Sequence, residues 1–215
     1  VLLTSVIVTL RSVSILFAVL LCVSIAFVSQ FAMKYYTRKK NTHRKEVHEV
    51  LIFYHGAPEL HRSKYSRCMI TESMGRLICI LNRTRYTLDI CVYVLTNLDI
   101  ATIIVKLHYR GVKVRVIIDA DMAYTSGSNI RKLEKQGIPV RWRKSPNLMH
   151  HKFCLLDAST DNSDVTPVIM TGSLNWTNQA LHGNWENVIV TSQEELVRQY
   201  KEEFERLWEL FKPIV

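Results

Sequence analysis

Two short segments concentrate side chains that could carry out substitution at phosphorus. The first is Met149-His150-His151-Lys152-Phe153-Cys154-Leu155-Leu156-Asp157, and the second is Thr171-Gly172-Ser173-Leu174-Asn175-Trp176. A neutral imidazole can attack phosphorus, and an ammonium beside it can hold the nonbridging oxygens and stabilise developing charge. If residues 150–156 form a strand, side chains alternate, so His150 and Lys152 share a face and His151 turns away to pack or hydrogen-bond. Gly172-Ser173-x-Asn175 closes the next strand and can bring a hydroxyl and an amide to the same phosphate. Such a set needs no metal.

Other candidates fall into place around these. Asp157 would lie about 23 Å along the strand from His150 and on its opposite face, so it cannot orient its own His150. Glu186, opening the strand after Asn175, is the better candidate to grip the second nitrogen of His150 and fix its tautomer. Arg141, Arg143 and Lys144 form with Lys152 a dense basic stretch. The sharper reading of that stretch is a groove that binds a phosphate backbone on its way to the site; the plainer one is a solvated face. Trp142 and Tyr124 are candidate stacking residues.

These residues need a scaffold, and the hydrophobic pattern supplies one. Strands are expected at 49–54, 88–95, 112–118, 138–142, 150–156, 168–171 and 185–191, and helices at 69–83, 98–110, 129–136 and 194–211. Leu196, Tyr200, Phe204, Leu207, Trp208 and Phe211 recur at helical spacing and should dock the last helix on a sheet. Residues 55–68 and 158–167 read as polar loops. Strands alternate with helices early and run together late, which predicts an α/β fold with a mixed sheet sandwiched by helices.

The chain has 215 residues and a net charge of +9. Arg11 is the single charge in residues 1–33, so nearly all of the basic excess belongs to the body and points to a polyanionic partner, nucleic acid or an acidic lipid surface. The composition excludes a disordered chain. Five cysteines with no CxxC spacing give no disulfide framework and suit a reducing compartment. Residues 12–33 carry no charge and would rise about 33 Å as a helix, enough to cross a bilayer. Lys34, Arg38, Lys39, Lys40, Arg44 and Lys45 follow and would keep the body on the cytoplasmic side. A cleaved secretory signal fits less well, because the apolar run is long for one. The expected organisation is a membrane anchor at 1–33, a basic linker at 34–48 and a catalytic domain at 49–215.

The ordered words MHHKF, TGSLNWT and NWENVIV, with VRVIIDADM upstream and EEFERLWE near the end, resemble the HKD signature of the phospholipase D superfamily. The likeness is greatest to its single-motif group of mitochondrial cardiolipin hydrolases and Zucchini-type endonucleases, and it covers nearly all of 49–211. The resemblance implies that His150 is a nucleophile forming a phosphohistidine, that Lys152 and Asn175 bind phosphate with Ser173 nearby, and that Asp157 supports the site. One motif per chain implies a homodimer, with His150 of the second copy as the general acid and then base. It also implies a cytosol-facing domain on the mitochondrial outer membrane. The substrate would be single-stranded RNA, in the maturation of piRNA precursors beside other small-RNA pathway proteins, or cardiolipin, cleaved to phosphatidic acid. RNA is the preferred reading; a catalytically silent membrane scaffold is the contrasting one.

The sequence departs from the family pattern in two places. Residues 158–171 make a longer connection between Asp157 and Gly172 than the pattern carries, and the excess coincides with the polar loop. Relatives often carry a small zinc-binding element after the first strand. Here that loop offers His55, His61 and Cys68, one short of the four ligands of a structural zinc. No cofactor is expected for the chemistry.

Overall fold

The computed structural model describes residues 19–35, 46–65, 68–162 and 164–213. The chain divides into two compact units, Val1–Arg44 and Lys45–Val215. In the first, residues 19–35 form a helix, α1, whose apolar side chains are exposed. Among the described residues no helix is long and apolar enough to cross a membrane. Residues 12–18 of the expected span, and 36–45 of the expected linker, lie outside the described residues.

The second unit is built on an eight-stranded sheet. Its strands are β1 (His48–Phe53), β4 (Thr87–Val92), β5 (Lys113–Ile118), β6 (Val140–Trp142), β7 (Lys152–Leu156), β8 (Val168–Gly172), β9 (Glu186–Thr191) and β10 (Lys212–Pro213). They lie in the order β1-β9-β8-β7-β4-β5-β6-β10. The β4–β5–β6 pairings are parallel and the others antiparallel, so the sheet is mixed as expected. Strand direction has a consequence for function. The ends of β1, β4, β5 and β8 and the starts of β7 and β9 all fall on one edge of the sheet.

The two faces are covered unequally. Helices α2 (Glu72–Asn82), α3 (Leu98–Tyr109), α5 (Ile130–Lys135) and α6 (Asn178–His182) bury Met74, Leu77, Ile104, Leu107, Leu133 and Leu181 against one face. On the other, α7 (Glu194–Leu210) buries Val197, Phe204 and Leu207, and Phe211 follows. Leu196, expected in that contact, is exposed and Val197 takes its place. All six residues of β4 are buried, as a strand covered on both sides requires. Its one acid, Asp89, meets Arg115 at 2.7 Å, and Arg115 reaches on to Glu205 of α7. The guanidinium also lies 4.8 Å from the Phe204 ring centre, so this ion pair, paired inside the core, fastens α7 to the sheet.

Three boundaries differ from the sequence expectation. Residues 69–71 form a strand, β3 (Met69–Thr71), paired with β2 (Glu59–Arg62) in what was expected to be a loop, and Thr71 caps α2 through its hydroxyl. Short helices α4 (Ala120–Ala123) and α6 and the edge strand β10 carry too little periodicity to be seen in the sequence. Finally, β7 begins at Lys152, so His150 precedes the strand rather than lying in it.

Candidate active site

His150 and Lys152 meet, though not by strand alternation. The Lys152 Nζ lies 2.9 Å from His150 Nδ1 and 3.0 Å from Nε2, and it donates to the His150 carbonyl oxygen at 2.9 Å. A ring nitrogen that faces an ammonium can only accept, and a neutral imidazole is the form able to attack phosphorus. Tyr93, just beyond β4, packs its ring against His150 with centroids 4.7 Å apart and tilted by 60°. Burial pulls the Lys152 ammonium below the ordinary lysine value, and the Glu186 carboxylate opposes that shift.

The segment leading into His150 is held from below. Asp119 is buried at the end of β5 and uses both carboxylate oxygens. Its Oδ1 accepts from the backbone N–H of Asp121 and Met122, capping α4, while its Oδ2 accepts from the N–H of Met149 at 3.0 Å. Sequence reasoning missed Asp119 and Tyr93. An acid after an apolar strand is a legible helix cap, but its second contact, thirty residues along the chain, is written only in the fold.

The second segment is placed by close backbone approach. A Cβ on Gly172 would stand 2.1 Å from the carbonyl oxygen of Asn187, so only glycine lets β8 and β9 close here. The backbone N–H and C=O of Trp176 bond to residues 94, 96 and 97 beyond β4, which carries Asn175 into the same edge. Asn175 keeps a buried Oδ1 that meets no hydrogen-bond partner among the described residues. An orphaned buried amide oxygen costs about 1–3 kcal/mol and calls for a donor, so a contact to a phosphate oxygen would come from the Asn175 Nδ2 group.

Glu186 corrects the expectation made for it. Its carboxylate accepts from the Ser173 hydroxyl and, at 3.0 Å, from Asn184 Nδ2, and does not hold His150. The Ser173 oxygen in turn accepts from the Asn187 N–H at 3.1 Å, so Ser173 is a fixed link between β8 and β9.

Asp157 stands apart from His150, beyond the opposite end of β7, as the strand geometry leads one to expect. At the far end of β7 its buried carboxylate accepts the backbone N–H of Arg85 at 3.1 Å, Tyr86 at 2.7 Å and Thr87 at 3.1 Å. Its own backbone adopts φ +54°, a left-handed conformation that aspartate tolerates better than most residues. The polar insertion folds onto this same pole. Ser159 donates to Asp89 at 2.7 Å, and Asp164 pairs with Arg85 at 2.9 Å.

The basic stretch divides. Arg141 is withdrawn: its guanidinium donates to the Trp208 carbonyl and lies 4.4 Å from that ring's centre. Arg143 lines a groove with His150, His151, Glu203 and Arg206, with a cavity of about 600 Å³. Lys144 is exposed and does not line it. His151 is exposed, with its Nε2 3.3 Å from a Glu203 carboxylate oxygen. Tyr124 and Trp142 meet edge to face rather than offering a stacked surface. Among the described residues no group of three or more His, Cys, Asp or Glu side chains could hold a metal, so His55, His61 and Cys68 form no such cluster.

Residues 77–208 match the family described as cardiolipin synthase, PLD-like domain. The chain therefore belongs to the phospholipase D-like family; of its signature residues, His150, Lys152, Ser173 and Asn175 lie at the sheet edge just described and Asp157 at the opposite end of β7. It is similar to proteins named mitochondrial cardiolipin hydrolase. That of Homo sapiens is 43% identical over 142 residues, 66% of this chain and 53% of that protein. That of Chlamydomonas reinhardtii is 41% identical over 140 residues, 65% of this chain and 59% of the other. The matched stretch thus spans little more than half the length of these relatives. The fold is that of a phospholipase D family member, Nuc from Salmonella typhimurium, with a TM-score of 0.60 at 21% identity, covering 78% of this chain and 99% of that one.

Proposed function

We propose that this chain is a membrane-anchored phosphodiesterase that works through a covalent bond to His150. The observation that carries the proposal is the Lys152 ammonium held within 3.0 Å of both His150 ring nitrogens at an edge that also presents Asn175. The neutral His150 ring attacks phosphorus, a P–N bond forms, and the bond to the leaving oxygen breaks. Lys152 and Asn175 hold the nonbridging oxygens, so the charge a metal might supply comes from the chain itself. The leaving oxygen takes a proton from the imidazolium of His150 in a second copy. That ring, now neutral, removes a proton from water, which attacks phosphorus and breaks the P–N bond. This chain offers one such histidine, so the working form is a homodimer.

The substrate we favour is single-stranded RNA, cleaved internally, as in the maturation of piRNA precursors with other small-RNA proteins. The basic body and the groove that runs from Arg143 to His150 support it, with Arg206 in that groove already paired to Glu203. Cardiolipin, giving phosphatidic acid, is the second reading, favoured by the name the relatives carry. The uncharged run at 12–33 and that same name support a place on the mitochondrial outer membrane, with the body in the cytosol.

The test gives the full chain and its His150→Ala variant, in detergent with a chelator present, labelled single-stranded RNA and cardiolipin vesicles. RNA cleavage that disappears with His150 is the expected result. Cleavage of cardiolipin alone would replace the substrate. Activity that survives His150→Ala would remove the nucleophile, and a chain inert on both but still binding RNA would be a scaffold.

A further inference from the structure

Several aromatic rings at the end of the sheet that carries His150 are spent on partners within the chain. Tyr93 has its ring against His150, and Trp142 and Tyr124 meet edge to face. Trp185 is different: it is 78% exposed, the highest value of any large hydrophobic side chain in the chain's described body. It stacks on half-buried Tyr54, with ring centroids 5.8 Å apart and planes inclined by 21°.

The sheet builds this pair. Phe53 lies opposite Glu186 in the β1–β9 register, so the next residues outward, Tyr54 and Trp185, also face each other. Both stand at the edge that carries His150. Strand β9 is two places from β7, a separation of about 10 Å at the usual strand spacing. Tyr54 supports one face of the indole and leaves the other to solvent. A flat, ring-backed π-surface at the end of the sheet that carries the candidate phosphate-binding residues suits an unpaired base of a bound strand.

A membrane is the competing occupant. The neighbours of Trp185 are Gly183, Asn184 and Glu186, and Glu186 takes part in the hydrogen-bonded link to Ser173. The residues next to Trp185 in sequence are polar, and seating the indole among acyl chains would bring their backbone toward lipid at a desolvation cost a nucleobase does not impose. Ile52 and Ile189 lie exposed further down β1 and β9, so a second copy is the other competitor.

We propose that Trp185, backed by Tyr54, is a stacking platform for an unpaired base of a single-stranded substrate and contributes to its preference for such strands. The inference rests on the reading of the site as a phosphodiesterase, and binding tests it apart from cleavage. The His150→Ala full chain, in detergent at low salt, is titrated with a fluorescent single-stranded oligoribonucleotide and with an abasic oligomer of equal length and charge. Adding Trp185→Ala should weaken binding to the first by about 5-fold or more and leave the second within twofold, as expected for loss of one base–aromatic stack. Trp185→Phe should recover most of the loss. Three results would overturn the platform: equal weakening on both oligomers, no weakening on either, or a fall in molecular mass by light scattering that accompanies the weakening. Loss of association with cardiolipin vesicles, with RNA binding unchanged, would assign Trp185 to the membrane instead. Base-dependent binding by a wild-type chain that cuts neither RNA nor cardiolipin would sink the phosphodiesterase reading and leave the platform standing.

Discussion

The two ends of β7 belong to one sequence motif and obey opposite rules. At its start, His150 and Lys152 are partly exposed and hold each other with polar capacity to spare, and Asn175 leaves a buried oxygen without a partner. At its end, Asp157 is buried and three backbone N–H groups converge on its carboxylate. An end with spare hydrogen-bonding capacity can receive a ligand. An end with none can only hold the chain together. Three polar residues at fixed spacing thus divide into a pair available for chemistry and a single fastening for the fold.

Substitutions at each end should separate activity from stability. His150→Ala should lower phosphodiester cleavage by about a thousandfold or more, while the melting temperature stays within about 2 °C, as expected for a partly exposed side chain. Asp157→Ala should do the reverse. It strands three backbone donors and should cost about 3–5 kcal/mol, or roughly 10 °C in melting temperature. The protein that remains folded should keep its turnover number. A melting curve unmoved by Asp157→Ala, or turnover lost at a temperature where the variant is fully folded, would erase the distinction.

Asp119 tests whether the reactive end has its own fastening. Its carboxylate joins the α4 cap to the N–H of Met149, directly before His150. Asp119→Ala should lower kcat by about 10–100-fold through misplacement of the ring, with KM changed less. An equal change in KM would mean that the groove, not the nucleophile, had moved.

The smallest effect concerns pH. Burial already brings the Lys152 ammonium below its usual value, and Glu186 resists this. Cleavage that needs the charged lysine fails as pH rises through that value, so its alkaline limit should come earlier than for an ordinary lysine. Glu186→Gln removes the opposing charge and should move the alkaline midpoint of kcat further down. A midpoint that stays or rises would show that another group sets the limit.

Much of this site is legible along the chain. His150, Lys152, Gly172, Ser173 and Asn175 are recognisable because chemistry at phosphorus needs those types close together, and short spacing along two neighbouring strands guarantees closeness. The alternation argument, however, reached the right pair by the wrong route, since β7 starts only at Lys152. Glu186 was assigned to His150 because both lie near strand starts, yet nearer donors on Ser173 and Asn184 take its oxygens. Arg141 reads as one of a basic run, but Trp208, far along the chain, draws it out of the groove.

By itself, then, the sequence determined the class of fold, the family signature and the nearness of His150 to Lys152, because periodicity, residue type and short spacing are local properties. The tertiary structure decided which side chains are free and which are spent: Asp157 on a turn, Asp119 on the segment that leads into His150, Arg141 on an indole, and Trp185 left open at the end of the sheet. Those outcomes depend on partners distant in sequence, and a side chain's chemistry is fixed by whichever partner the packed chain brings within hydrogen-bonding distance first.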